Sequence, residues 1–382
     1  FRSDLINDKY QQQYYAGTAK NLCHDNGRYV DSSNQEMMIY GDVMILLNKK
    51  WKNYSLNAAA GGSYNMHKTN LLKLDSGKAG LYYANVFSIA NMILNNQTAY
   101  INETRDAKRN IQSIFGMIQL GWKNLIYADI TARNEWSSTL ANTSSKNTGF
   151  FYPSIGFSWI ANQAIKLPEW INFYKFRLSW AQVGNDLPIG ITSPSPTITA
   201  GGMIKQVQYD FDNLRPEIST SWELGMECKL LSSRINIDLT IYRTNTKNQL
   251  LYIKTPTGKY PYKYFNAGKI QNQGVELSLG ITPLITNSWS WKTDLNYSTN
   301  KNKVISLGDN SAFDYGTGVN MPYRMRVKEG GALGDIYGND FSRDSAGKIL
   351  VTPTGLPKVN TGNYSFIGNA NPNYLLGLSN TL

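Results

Sequence analysis

Two cysteines and two histidines are all that the 382 residues contain. Cys23 and Cys228 are too few and too distant in sequence to form a disulfide scaffold. His24 and His67 fall in segments that read as loops. Neither joins a Cys/His cluster with zinc-like spacing or a Ser/His/Asp set, so no metal, no cofactor and no enzymatic activity are expected. Long apolar runs are lacking too. The longest clean aliphatic stretch, Val43 to Leu47, falls far short of the ~20 residues a membrane helix needs. With 41% hydrophobic residues and a mean hydropathy of -0.39, a helical membrane protein is excluded. Acidic residues are outnumbered by basic ones, 27 to 38, for a net charge of +11. The basic residues are dispersed, however, and the densest run is Lys49-Lys50-Trp51-Lys52 in a predicted turn. Nucleic acid binding wants a continuous basic face with interleaved aromatics, which is absent, so nucleic acid is not an expected partner.

Weaker motifs dissolve on inspection. Asp309, Ser311 and Asp314 lack the glycine and terminal glutamate of a calcium loop. Gly330-Gly331-Ala-Leu-Gly334 has no strand-to-helix context for a phosphate cradle. Glu223 and Glu227 share one predicted strand face, where the electrostatics of a wet lumen explain them better than glycosidase chemistry does.

What the chain does have is strict alternation. In 126–135, Ile126, Ala128, Ile130 and Ala132 alternate with Tyr127, Asp129, Thr131, Arg133 and Glu135. Successive strand side chains point to opposite faces, so this is a ribbon with one greasy and one polar side. Ile235, Ile237, Leu239 and Ile241 repeat the pattern, as do Val275, Leu277, Leu279 and Ile281, and Trp289, Trp291, Thr293, Leu295 and Tyr297.

Paired strands are predicted at 38–48 and 54–66, 108–122 and 126–136, 150–160 and 170–183, 218–230 and 235–247, and 268–282 and 289–305. A last strand starts near Asn373. Tight connections within pairs alternate with long polar ones at 67–107, 137–149, 184–217, 248–267 and 306–368. Outer-membrane barrels have short turns at one end and long loops at the other. The apolar faces carry no charge at the strand centres, while the opposite faces hold Lys175, Arg177, Glu223, Glu227, Lys229, Lys292 and Asp294. Two packed sheets could not hide so many charges, but a water-filled lumen can. Trp122, Trp136, Trp159, Trp180 and Trp289 gather near predicted strand ends, as an interfacial girdle would. The fold class is therefore all-β, a transmembrane antiparallel up-and-down barrel whose apolar faces meet outer-membrane lipid. A secreted or surface β-rich carbohydrate-binding protein is the alternative, with tyrosine-rich loops facing the ligand.

Loop aromatics are the functional candidates. Tyr260, Tyr262 and Tyr264 stand two apart in a long predicted loop, where amphipathic rings can stack on a substrate, or where a hairpin can pack on itself. Arg133 and Trp136 are placed at one strand end near the same rim, with the same two readings.

An ordered series of motifs resembles the SusC/RagA family of TonB-linked outer-membrane proteins. It comprises Asp129-Ile-Thr-Ala-Arg-Asn-Glu-Trp-Ser-Ser-Thr139, Tyr152-Pro-Ser154, Lys175-Phe-Arg-Leu-Ser-Trp-Ala-Gln-Val-Gly-Asn185 and Arg215-Pro-Glu-Ile-Ser-Thr-Ser-Trp-Glu-Leu-Gly225. Tyr242-Arg-Thr-Asn-Thr-Lys-Asn-Gln-Leu250, Asn266-Ala-Gly-Lys-Ile-Gln-Asn-Gln-Gly-Val-Glu276, Gly334-Asp-Ile-Tyr-Gly338 and Gly368-Asn-Ala-Asn-Pro-Asn-Tyr374 continue it. The resemblance implies a plugged barrel of about 22 strands, of which 1–382 would be a later part of the barrel domain. The plug domain, the N-terminal segment and the final strands are then expected to lie outside this sequence, which begins at Phe1. It further implies a nutrient importer of oligosaccharides or peptides in the outer membrane of a member of the Bacteroidetes. The implied partners are TonB and a SusD-like surface lipoprotein, assembled as a dimer of transporter–lipoprotein pairs. No ligand residue carries over by motif.

Overall fold

The structure, a computed structural model, describes residues 1–94, 99–145, 149–192, 197–198, 204–205, 210–211, 213–254, 262–266, 268–308, 312–315 and 323–382. Twelve antiparallel strands build one sheet in chain order. They are β1 (Arg2–Tyr14), β2 (Arg28–Trp51), β3 (Tyr54–Asp75), β4 (Tyr100–Trp122), β5 (Ile126–Ser137) and β6 (Phe150–Ile160). The second half comprises β7 (Ile171–Asn185), β8 (Glu217–Leu230), β9 (Ile235–Lys247), β10 (Lys269–Ile285), β11 (Ser290–Ser306) and β12 (Leu375–Thr381). Every neighbour in the sheet is the next wall strand in sequence, which is the up-and-down topology of a barrel wall.

Register turns the alternation into one surface. Leu47 pairs with Ala58, and Ala58 with Ile118. Ile118 pairs with Ile130, Ile130 with Ile155 and Ile155 with Trp180. Farther round the wall, Met226 pairs with Leu239, Leu239 with Leu277, Leu277 with Tyr297 and Tyr297 with Leu376. A soluble sandwich would bury this stripe under a second sheet. Here Val43 is 78% exposed and Ile45 77%, and among the described residues the remaining sheets have only two to four strands. That excludes a packed sandwich as the setting for these strands.

At the short-turn end Trp51 pairs with Tyr54 and Tyr54 with Trp122, while Ile126 pairs with Trp159, giving an aromatic row at one edge of the apolar band. Lys49 lies over Trp51 and Lys123 over Trp122, at 5.4 and 5.0 Å. Trp136, beside Gln112, marks the opposite edge. Ten residue steps separate Ile126 from Trp136. They span about 34 Å along a strand, or ~24 Å across a membrane at a tilt of ~45°, close to the ~25 Å apolar band of outer-membrane barrels.

The buried apolar clusters lie elsewhere, at the long-loop end. Leu140, Phe150, Leu187, Ile191 and Leu214 form one cluster, Tyr29, Leu81 and Met92 a second, and Val304, Leu307 and Val327 a third. The loops thus fold on the strand ends, each around its own small core.

The structure also departs from the sequence reading. It has twelve wall strands rather than eleven, because β1 pairs with β2 along its whole length. The predicted loop 67–107 is strand at both ends, since β3 continues to Asp75 and β4 begins at Tyr100. His67 is therefore a strand residue. β1 and these extensions stand beyond the apolar band, where water contacts both faces and nothing enforces alternation. The long loops hold sheets of their own, including Leu250–Lys254 with Tyr262–Asn266, and a four-stranded sheet of Ala312–Tyr315, Tyr323–Lys328, Asp335–Phe341 and Val359–Asn369. Cys23 and Cys228 are both buried free thiols.

Candidate functional site

The face opposite the apolar band is polar, and several of its charges are paired. Arg177 on β7 donates to Asp238 on β9 at 2.7 and 3.2 Å and to Thr240 at 3.3 Å. Gln119 donates to Asp129 at 2.7 Å, and Ser219–Thr246 and Ser221–Thr244 pair at 2.8 Å. A wet lumen tolerates these groups, and cross-strand pairing holds them in fixed positions.

At the long-loop end the same face narrows to a built polar node. Arg109 on β4 grips Asp186, just after β7, at 2.8 and 2.6 Å. Asp186 also accepts from Ser137 and, at 3.1 Å, from Thr139. Its side chain is 3% exposed, whereas that of Arg109 is 33% exposed. Beside the node is a cavity of about 540 Å³ lined by His67, Arg109, Asn185, Glu217 and Leu250. His67 stands opposite Arg109 in the ladder and meets Glu36 at 3.3 Å. Glu217 accepts from Gln249 and the Leu250 N–H, both at 2.7 Å. The wall of this cavity is thus held by bonds from five strands and three loops. Such a cup can present fixed donors and acceptors to hydroxyls or amides. No group of His, Cys, Asp and Glu suited to a metal ion occurs among the described residues.

A second clasp closes the rim well above the apolar band. Arg28 donates to both Asp75 oxygens at 2.8 and 2.6 Å, and the Gly77 N–H donates to one of them at 2.8 Å. Burial pushes the Asp75 carboxyl up, but the Arg28 and Gly77 hydrogen bonds outweigh it and hold the group below its ordinary range. A depressed folded-state pKa stabilises fully above the unfolded value of about 3.9 and is lost as pH falls through the folded one. Hydrogen exchange across 76–80, corrected for intrinsic rates, is therefore expected to stay slow through mild acid and quicken only below about pH 3.9. In Arg28→Gln the protection should already be lost near or above that pH. Equal pH profiles for the two proteins would remove the clasp from this role.

The loop candidates of the sequence do not converge. Tyr260 lies outside the described residues. The backbone of Tyr262 pairs with Lys254, while Tyr264 pairs with Tyr252, their rings 5.6 Å apart. Tyr264 also packs against the Leu140 cluster, so this hairpin packs partly on itself. Arg133 and Trp136 are three apart in β5 and take opposite faces. Arg133 lies on the polar side with Glu135 at 2.7 Å, Ser63 at 3.2 Å and the Phe115 ring at 5.4 Å. Trp136 lies on the apolar side beside Tyr64 and Gln112. Asp309 and Ser311 fall outside the described residues, and Asp314 is taken up by Arg324 and Arg326. Asp186 carries no mark of its own in the sequence, although it directly follows the motif that ends at Asn185.

Comparison with known proteins agrees with this geometry. The family described as TonB dependent receptor-like, beta-barrel, matches residues 1–374. The TonB-dependent receptor P3 of Formosa agariphila is 25% identical over 323 residues, covering 75% of this chain and 31% of the relative. The TonB-dependent receptor SusC of Bacteroides thetaiotaomicron is 25% identical over 253 residues, covering 58% of this chain and 23% of SusC. The chain thus spans under a third of these relatives. Among solved structures, the RagAB peptide transporter superposes with a TM-score of 0.73 at 15% identity, over 99% of this chain and 42% of the other.

Proposed function

The chain belongs to the TonB-dependent receptor-like β-barrel family, and we propose that it forms wall and mouth of an outer-membrane importer of oligosaccharides or peptides. The observation that carries this reading is the pairing of a continuous apolar stripe with a polar face braced by cross-strand ion pairs and hydrogen bonds across one sheet. Lipid requires the first and a hydrated path the second. The cup beside Asp186 lies at the long-loop end, where cargo would be held before passage. The RagAB neighbour carries peptides, and the SusC relative points to a SusD-like lipoprotein as the partner over this mouth. TonB would supply the energy, and the assembly would be a dimer of transporter–lipoprotein pairs. The protein would act by binding and passage rather than by bond-breaking.

Gentle detergent extraction of the producing cell's outer membrane tests the reading. Peptides of this chain are expected in a species much heavier than the 42.9 kDa of the chain alone, with a lipoprotein of comparable abundance. A free species of that smaller mass in the soluble fraction would overturn it.

A further inference from the structure

The four-stranded sheet between β11 and β12 has two unlike faces. One carries Val327, which is packed against Val304, Leu307 and Phe313, and so seats the sheet on the end of the wall. The other carries Arg324, Arg326 and Lys328, two apart on one strand. Arg324 lies 4.3 Å from the centre of the Tyr364 ring. Arg326 and Lys328 lie over Tyr337 at 5.5 and 5.3 Å. Among the described residues only one carboxylate answers these three cations. Asp314 meets Arg324 at 3.0 Å and Arg326 at 2.6 Å. Lys328 is exposed and has no carboxylate partner among the described residues.

Cations spaced along one strand face repel one another, and an architectural role would need no more of them than Asp314 neutralises. The surplus charge therefore suits an anion from outside. Next to it, Phe366 is 57% exposed and meets Tyr337 edge-on at 5.7 Å. Phe366 pairs with Tyr337 and Tyr337 with Arg324, so an open ring stands in one row with a half-exposed guanidinium. An apolar ring two strands, or about 10 Å, from a cation suits an oligosaccharide bearing a carboxylate, the C–H face of one sugar on the ring and the anion of its neighbour on the fork. An acidic peptide would instead add a strand at a sheet edge. The cations lie on an inner strand, paired with Ala312–Tyr315 on one side and Asp335–Phe341 on the other.

We propose that this face, centred on Arg324, Lys328 and Phe366, binds acidic oligosaccharide at the mouth. The inference deepens the importer reading and rests on it for the direction of travel.

The test is calorimetric binding to the intact, detergent-solubilised protein with trigalacturonate, maltotriose and triglutamate as probes. Trigalacturonate is expected to bind at least about tenfold tighter than maltotriose, with an advantage that shrinks as salt rises. Lys328→Gln leaves every hydrogen bond of the sheet in place and should weaken trigalacturonate several-fold. Phe366→Ala should weaken it as well, with no change in charge. Equal binding of maltotriose, tighter binding of triglutamate, or indifference to both variants would overturn the proposal. Import is scored separately. A membrane-borne importer of neutral cargo would keep the importer reading and lose this one, and a soluble protein that binds trigalacturonate would do the reverse.

Discussion

Replacing Asp186 by alanine is expected to cost about 3 kcal/mol, because it removes one partner of a buried ion pair and strands the others. The carboxylate is nearly inaccessible and accepts from Arg109, Ser137 and Thr139. Without it, the Ser137 and Thr139 hydroxyls lose an acceptor in a buried place, and Arg109 loses both of its bonds. Arg109 itself is one-third exposed, so water recovers part of its loss and the cost belongs at the low end of the usual range for breaking a buried pair. Since Asp186 joins the loop after β7 to the ends of β4 and β5, the damage should be local. Limited proteolysis should cut the 186–192 segment early, while the apolar band stays resistant in detergent. Asp186→Asn keeps a hydroxyl acceptor and loses the charge, and should fall between the two. Protease patterns for Asp186→Ala that match the parent's would show that the node holds nothing in place.

Leu239→Arg should cost about 2–4 kcal/mol if the side chain meets the bilayer midplane. Leu239 lies between Met226 and Leu277 in the apolar stripe, two positions below the exposed Ile241. The matched control is Ser278→Arg. Ser278 is on the opposite face, paired with Asp238 and bonded to Asn296 at 2.9 Å. An arginine there enters a hydrated, polar neighbourhood and should cost under about 1 kcal/mol. Urea unfolding in detergent micelles or bilayers separates the two, and the yield in the outer membrane should follow the same order. If Leu239→Arg assembled as well as Ser278→Arg, the assignment of faces would be reversed.

The wall was legible in the sequence wherever lipid imposes a period of two, as from Ile126 to Ala132 and from Ile235 to Ile241. Outside the band that constraint lapses. In β1, Leu5 and Ile6 are neighbours and three glutamines follow in a row, so its strand character comes only from pairing with β2. The Asp186 node was illegible for another reason: its ion pair joins residues 77 apart, and no local pattern marks either partner. The tyrosine ladder left two readings open because its spacing shows rings but not the Tyr252 that meets Tyr264 across the hairpin. Arg133 and Trp136 are different again. Their odd separation in a strand already places them on opposite faces, so parity alone should have parted them.

β2, β3 and β4 run for 24, 22 and 23 residues, against 17 or fewer in the other wall strands. From Val43 down to Val30, paired with Asp75, thirteen steps carry the ladder on the order of 30 Å past the lipid at a membrane-strand tilt. On a cell that displays this protein, one flank would rise as a shoulder above a lower rim. An antibody or a phage tail fibre would meet that shoulder before it could reach the cup. Immune recognition would then fall on the tips of the extended hairpins, and escape variants could accumulate there, above Glu36, His67 and Arg109, where the same strands line and brace the cup.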